Sequence, residues 1–262
     1  MPACLSRKTV YELFTMNDEE LLRYSRQIFL PGVDVEGQER LFNSHILIMG
    51  VGGLGSLSAA YIAAAGVGRL TLVDDDSVDV SNLHRQLLYT QDDLGEPKVE
   101  AAKKRLLLSN PSCNISCINK RLSVEQLQDL SASVDIVLDG TDNFASRLLI
   151  NQACHQSKTP LLSAAVTQFT GQLSLFDFAA GSPCYACLYP EVPGEENNCA
   201  ENGILGPAAG VIASWQALYA LKYLLAYEIE CLHHLQLIDM LSGRNRNIAL
   251  TKDSNCKICS SK

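Results

Sequence analysis

His45-Ile46-Leu47-Ile48-Met49-Gly50-Val51-Gly52-Gly53-Leu54-Gly55 is the stretch from which the fold can be read. A short apolar run that stops abruptly at glycine reads as a strand buried on both faces. The glycines that follow form a tight turn, and the small residues of Leu54–Ala65 read as a helix packed close to its neighbours. Downstream the same unit repeats. Leu70–Val73 is a strand ending in Asp74-Asp75-Asp76, and Pro97–Leu108 is a helix with proline at its first position. Asn114–Ile118, Asp135–Leu138 and Pro160–Ala165 are strands, interleaved with helices Val124–Leu130 and Asn143–His155. Strands alternating with helices predict an α/β fold, a Rossmann-like and mainly parallel sheet with helices on both faces.

The flanks differ in texture. Residues 1–16 read as a flexible leader, and Asn17 to Leu30 as a helix capped by Asn17 with Glu20 three residues on. After Gln168 the pattern changes: Gly171–Phe178 alternates like an antiparallel strand, and Gly181–Gly210 reads as a loop rich in Pro, Gly, Asn and Cys. A helix is expected over Val211–Tyr227, then closing strands at Leu235–Met240 and Asn247–Thr251. The expected organisation is one domain over 17–262, with a nucleotide-binding core at 17–168 and a C-terminal extension at 169–262.

Composition narrows the function. Of 262 residues 47% are apolar, enough for a large core, and the net charge of −8 disfavours a nucleic-acid partner, which needs a cationic surface. Gly203 to Leu221 holds no charged residue, but Gly206-Pro207, Gly210, Ser214 and Gln216 make a membrane span a poor reading. Ten cysteines without a signal-peptide pattern at the N-terminus point to a reducing, cytoplasmic setting, where thiols serve as metal ligands, catalytic groups or core residues.

Gly50, Gly52, Gly53 and Gly55 fit G-x-G-x-x-G between a strand and a helix, an arrangement that brings bare backbone N–H groups to phosphate oxygens. Asp74 ends the next strand, where a carboxylate meets a ribose hydroxyl, and Asp76 lies beside it. These features alone also fit a nicotinamide oxidoreductase. Three later residues favour a triphosphate: Arg85 within Ser81-Asn82-Leu83-His84-Arg85-Gln86, Lys98 after Pro97, and Asp142 in Leu138-Asp139-Gly140-Thr141-Asp142-Asn143. Fixed cations suit a pyrophosphate leaving group, and a carboxylate can face phosphates only across a cation, so Asp142 is a candidate Mg2+ ligand.

Taken in order, Arg23-Tyr24-Ser25-Arg26-Gln27, the glycine turn, SNLHRQ, Glu96-Pro97-Lys98 and Thr141-Asp142-Asn143 resemble the ThiF/MoeB/HesA family, relatives of ubiquitin-activating enzymes. The resemblance runs from about Met16 to Cys259. It implies an ATP site beneath a crossover loop, usually in a homodimer. The implied reaction joins ATP to the C-terminal glycine of a ubiquitin-like sulfur-carrier protein ending in Gly-Gly (ThiS- or MoaD-like), giving an acyl-adenylate and pyrophosphate for thiamine or molybdenum-cofactor synthesis. A cysteine desulfurase or a rhodanese-like protein would supply the sulfur. By resemblance Gly53 and Asp74 contact ATP, Ser81 to Arg85 and Lys98 line its phosphates, Asp142 with Asn143 holds Mg2+, and Arg26 reaches the site of the other subunit. His84 departs from the glutamine or asparagine common in the family. A tRNA-modifying dehydratase of the same superfamily is the competing reading.

Cys184 and Cys187, with Cys256 and Cys259, form two CxxC pairs. Four thiolates make the closed tetrahedral set of a structural Zn2+ site, here pinning the tail to the start of the crossover loop. Cys199 lies in that loop. The resemblance implies that it can form a thioester or disulfide with the carrier, but Glu195, Glu196 and Glu201 beside it disfavour a thiolate, so a covalent role and an ordinary thiol both stay open. Cys113, Cys117, Cys154 and Cys231 read as inert.

Overall fold

The computed structural model describes residues 16–190 and 203–260. Residues 1–15 of the expected leader and Cys199 lie outside the described residues. Helix α1 (Asp18–Ile28) opens with the expected box: Asn17 accepts from Glu20 N, and Glu20 accepts from Asn17 N. Helix α2 (Asp34–Asn43) has no counterpart in the sequence reading. It buries only Gly37, Gln38 and Leu41, too narrow and too polar a stripe to show as a helical period.

The array then runs β1 (His45–Met49), α3 (Gly55–Ala64), β2 (Arg69–Val73), α4 (Lys98–Ser109), β3 (Asn114–Ile118), α5 (Val124–Ser131), β4 (Ile136–Asp139), α6 (Phe144–Ser157) and β5 (Leu161–Thr167). It continues with β6 (Thr170–Phe176), the short turn α7 (Tyr185–Leu188), α8 (Gly206–Leu224), β7 (His234–Asp239) and β8 (Arg244–Ala249). The eight strands form one sheet in the order β3-β2-β1-β4-β5-β6-β7-β8, parallel from β3 to β5 and antiparallel from there on.

Two cores flank this sheet. Ile46 and Ile48 of β1 join the core that α3, α4 and α8 cover, while Leu47 and Met49 join that of α5, α6 and the paired cysteines. Covering both faces is why the central strands read as unbroken apolar runs.

Three expected boundaries are corrected. The helix expected over Val211–Tyr227 begins at Gly206 and ends at Leu224: Pro207 occupies its first turn, where the missing N–H costs nothing. The loop expected over Gly181–Gly210 therefore contains α7 and the first turn of α8. The last strand is Arg244–Ala249, not Asn247–Thr251, because Asp239 closes a tight hairpin by accepting from the N–H groups of Leu241 and Ser242. All six residues of β8 are exposed, so no alternation marks the strand. Among the described residues no helix is long and apolar enough to cross a membrane.

Candidate functional site

The strand order reverses between β1 and β4, which puts two loops side by side at the carboxyl edge of the sheet, the usual ligand crevice of an open α/β sheet. The first is the glycine turn. Gly50 has φ of +79°, and a Cβ on Gly55 would collide with the Gly50 carbonyl oxygen. The second loop, Gly140 to Asn143, lies against it: Gly140 N–H donates to Met49 O at 2.9 Å. Helix α3 starts at Gly55, so its N-terminal end faces this crevice, with Ser56 N–H already donating to Gly52 O at 3.1 Å and Ser58 N–H to Leu54 O at 3.0 Å.

The predicted residues gather around the turn, though not all as expected. Asp74 Oδ2 accepts from Val51 N at 2.8 Å and its Oδ1 from Asp76 N at 2.9 Å. Burial raises the Asp74 pKa, opposed chiefly by the Lys98 ammonium. A Cβ on Gly53 would lie 3.6 Å from the Arg85 side chain, so the arginine spans the mouth of the turn beside Ala209 of α8. Arg85 Nη1 donates to Ser81 O at 3.2 Å and touches His84 Nε2 at 2.9 Å. The departure at His84 therefore keeps a polar contact to the arginine.

Lys98 has a partner within the protein: its ammonium is buried and paired with Asp76 at 2.7 Å. Arg23 donates to Ser109 O at 3.0 Å, while Arg26 stands exposed on α1. Gln86 is buried, and its Oε1 has no partner while its Nε2 donates to Asn82 at 3.1 Å. An orphaned amide oxygen calls for a donor, which a ribose hydroxyl or an adenine amino group supplies and a phosphate does not.

Asp142 is exposed at the end of β4, with Asn143 Nδ2 3.4 Å away. Asn143 caps α6 by accepting from Ser146 N. One carboxylate here is enough, since Mg2+ commonly takes one or two carboxylates plus phosphate oxygens.

Sequence reasoning missed the residues beneath this loop. Asp139 is fully buried; its Oδ1 accepts from Thr141 N at 3.0 Å and Thr141 Oγ1 at 2.7 Å, and Ser163 Oγ donates to its Oδ2 at 3.2 Å. Burial raises its pKa, opposed first by the Arg147 guanidinium. Buried Arg147 donates from Nε and Nη2 to Thr141 O at 3.2 and 2.7 Å. Gln216 Nε2 of α8 donates to Asp139 O and Leu162 O, and Tyr89 OH donates to Val51 O at 2.7 Å. A charged residue inside an otherwise apolar helical stretch was the one available signal, at Arg147.

The second site is the thiol cluster. The four Sγ atoms of Cys184, Cys187, Cys256 and Cys259 lie within 4.8 Å of one another. Three pairs are 3.9, 3.7 and 3.3 Å apart, against about 3.8 Å for the edge of a tetrahedron with Zn–S bonds of about 2.3 Å. Cys184 N and Asp253 N donate to Cys187 Sγ, the support expected for thiolate charge. The donor set fits a closed Zn2+ site. Burial pushes the other four described thiols up, Cys113, Cys154 and Cys231 to about 12 and Cys117 to about 11, which disfavours the thiolate a reaction would need.

Residues 24–258 match the ThiF family. The chain belongs to that family. It is 43% identical over 244 residues to the "Sulfur carrier protein ThiS adenylyltransferase" of Escherichia coli K12, covering 93% of this chain and 97% of that one. It is 41% identical over 244 residues to the "Molybdopterin-synthase adenylyltransferase" of the same strain, covering 93% and 98%. The "Adenylyltransferase and sulfurtransferase MOCS3" of Drosophila willistoni is 44% identical over 250 residues, and there this ThiF-family chain, 94% covered, spans 55% of the relative. A crystal structure of E. coli MccB with AMPCPP and MccA shares the fold at a TM-score of 0.79 and 24% identity, covering 90% of this chain and 74% of that one.

Proposed function

We infer that this ThiF-family protein is an ATP-dependent adenylyltransferase acting on the C-terminal glycine of a ubiquitin-like sulfur-carrier protein. The observation that carries the reading is the crevice at the β1/β4 reversal. There the glycine turn packs against the loop that carries Asp142, with Arg85 beside Gly53 and the Lys98–Asp76 pair next to Asp74. Relatives about 40% identical over nearly their whole length bear adenylyltransferase names.

The chemistry is a substitution at the α-phosphate. A carboxylate oxygen of the carrier's last glycine bonds to the α-phosphorus, the bond to the β-phosphate bridging oxygen breaks, and pyrophosphate leaves with that electron pair. No proton or electron carrier is needed. The glycine turn admits the phosphates, Asp74 accepts a ribose hydroxyl, and Arg85 offsets charge growing on the leaving group. ATP phosphates entering the crevice compete with Asp76 for Lys98. Asp142 with Asn143 would hold the Mg2+ that neutralises the phosphates. Arg26, exposed on α1, serves the site of a second copy in a homodimer. The four cysteines hold structural Zn2+ and take no part in the step. Cys199 is assigned no role in adenylation.

Exchange of labelled pyrophosphate into ATP tests the reading, with a ThiS-like carrier, a MoaD-like carrier, and neither. Carrier-dependent exchange is expected, lost in Asp142→Ala; the two carrier arms decide the pathway. Exchange in neither carrier arm would overturn the assignment; normal exchange by Asp142→Ala would overturn only the role of Asp142 as Mg2+ ligand.

A further inference from the structure

Helix α6 connects the two sites. On one of its faces, a single turn apart, stand Arg147 and Asn151, both buried inside the protein. Arg147 reaches toward the nucleotide loop, and Asn151 toward the cysteines.

At the loop end, the backbone on both sides of Asp142 is fixed. Thr141 loses all its polar freedom: its N–H and hydroxyl go to Asp139, and its carbonyl takes both Arg147 donors. Asn143 is held by Ser146 N at 2.9 Å. What projects from the clamp is the Asp142 carboxylate.

At the cysteine end, both halves of the Asn151 amide are spent on the first CxxC turn. Its Nδ2 lies 3.6 Å from Cys184 Sγ, and its Oδ1 accepts from Tyr185 N at 2.9 Å. The Tyr185 ring is buried against Tyr189, 5.0 Å between centroids, and its hydroxyl has no hydrogen-bond partner among the described residues. Phe144 lies under the Arg147 guanidinium at 5.5 Å and meets Tyr189 edge-on at 5.3 Å. A leucine would fill the space of Asn151, but it would leave a buried Tyr185 N–H without an acceptor.

We propose that the four-cysteine cluster positions the Asp142 loop through Asn151 and Arg147, making Asn151 a positioning residue for the metal that accompanies ATP. The proposal rests on the assignment of Asp142 made above. Thiolate charge strengthens the Asn151 Nδ2–H bond to Cys184, so a filled cluster holds α6 harder than an empty one. The cluster is then more than a staple for the tail.

Asn151→Leu in the full chain tests this. All four thiols remain, so bound zinc should stay at the wild-type level. Amide hydrogen exchange should speed up over residues 139–147, read without ATP or carrier. The Mg2+ concentration for half-maximal ATP binding, followed by calorimetry, should rise about 10-fold, the scale on which partners of a metal ligand act. Maximal pyrophosphate exchange at saturating Mg2+ should change little, a split that a general loss of folded protein would not give. Asn151→Ser, which keeps a hydroxyl for Tyr185 N, should fall between the two and serves if the leucine variant does not fold. Full zinc with unchanged loop exchange and unchanged Mg2+ dependence in the folded variant overturns the proposal. If the wild type fails pyrophosphate exchange, the functional reading falls instead, while the loop measurement still decides the coupling.

Discussion

The two loops at the crevice solve one problem in opposite ways. Both join a parallel strand to a helix, at β1–α3 and at β4–α6. The first is shaped largely by what it lacks: with glycine at four of its six positions the backbone folds tightly, and side chains tie it at Val51, through Asp74 and Tyr89. The second is held by what it carries: Asp139, Thr141, Asn143 and Arg147 exhaust the donors and acceptors around it. A loop that binds anions through its backbone must stay empty, whereas a loop that presents one carboxylate at a fixed point must be saturated.

The contrast can be broken most severely at Gly55. Its Cβ would strike the Gly50 carbonyl, a backbone atom that cannot step aside. Gly55→Ala should cost about 3 kcal/mol in urea unfolding, the upper end for overpacking, and abolish ATP binding. Arg147→Met comes next. It leaves the Thr141 carbonyl without its donors and Asp139 without the charge that opposes its raised pKa. We expect a loss of about 2–3 kcal/mol with the glycine turn intact. A loss of only a few tenths would mean the second loop does not depend on its side chains.

Gly53→Ala sharpens the same comparison. A methyl there meets Arg85 and Ala209 at ordinary contact distances, 3.6–3.7 Å. Stability should move by less than about 0.5 kcal/mol. ATP binding should still weaken, because the methyl occupies phosphate space; unchanged affinity would show that the phosphates lie elsewhere. The smallest effect sits at the far end of β1. Burial, and then Arg69, lowers the pKa of His45 from 6.5, so the neutral ring is the form the fold prefers. Its contribution is complete above that value and is lost as pH falls toward the folded pKa. His45→Gln should flatten the fall in Tm between about pH 7.5 and about pH 5.5. An equal fall in both proteins would dismiss it.

The two loops also differ in how far they can be read from sequence. The glycine turn is a local pattern, and its strand and helix lie within a residue of their expected limits. The clamp is built from partners far apart in the chain, such as Asn151 with Cys184 and Gln216 with Asp139. No period or spacing announces those pairings, so Asp139, Arg147, Asn151 and Gln216 went unread although Asp142 between them was found. Gly206-Pro207 misled for a different reason: residues that break a helix inside also begin one. Helix α2 was missed because its most buried polar residue, Gln38, owes its place to Ala65 and Gln27 rather than to apolarity.

The cysteine cluster has a consequence for refolding. It joins residues 72 positions apart in sequence. A crosslink closing a loop of that length removes roughly 4 kcal/mol of disorder from the unfolded chain. Helix α8 and strands β7 and β8 lie inside that loop, whereas β6 lies before it. A metal held through unfolding would keep the two ends of this segment together and shorten the search by which β7 finds β6 again.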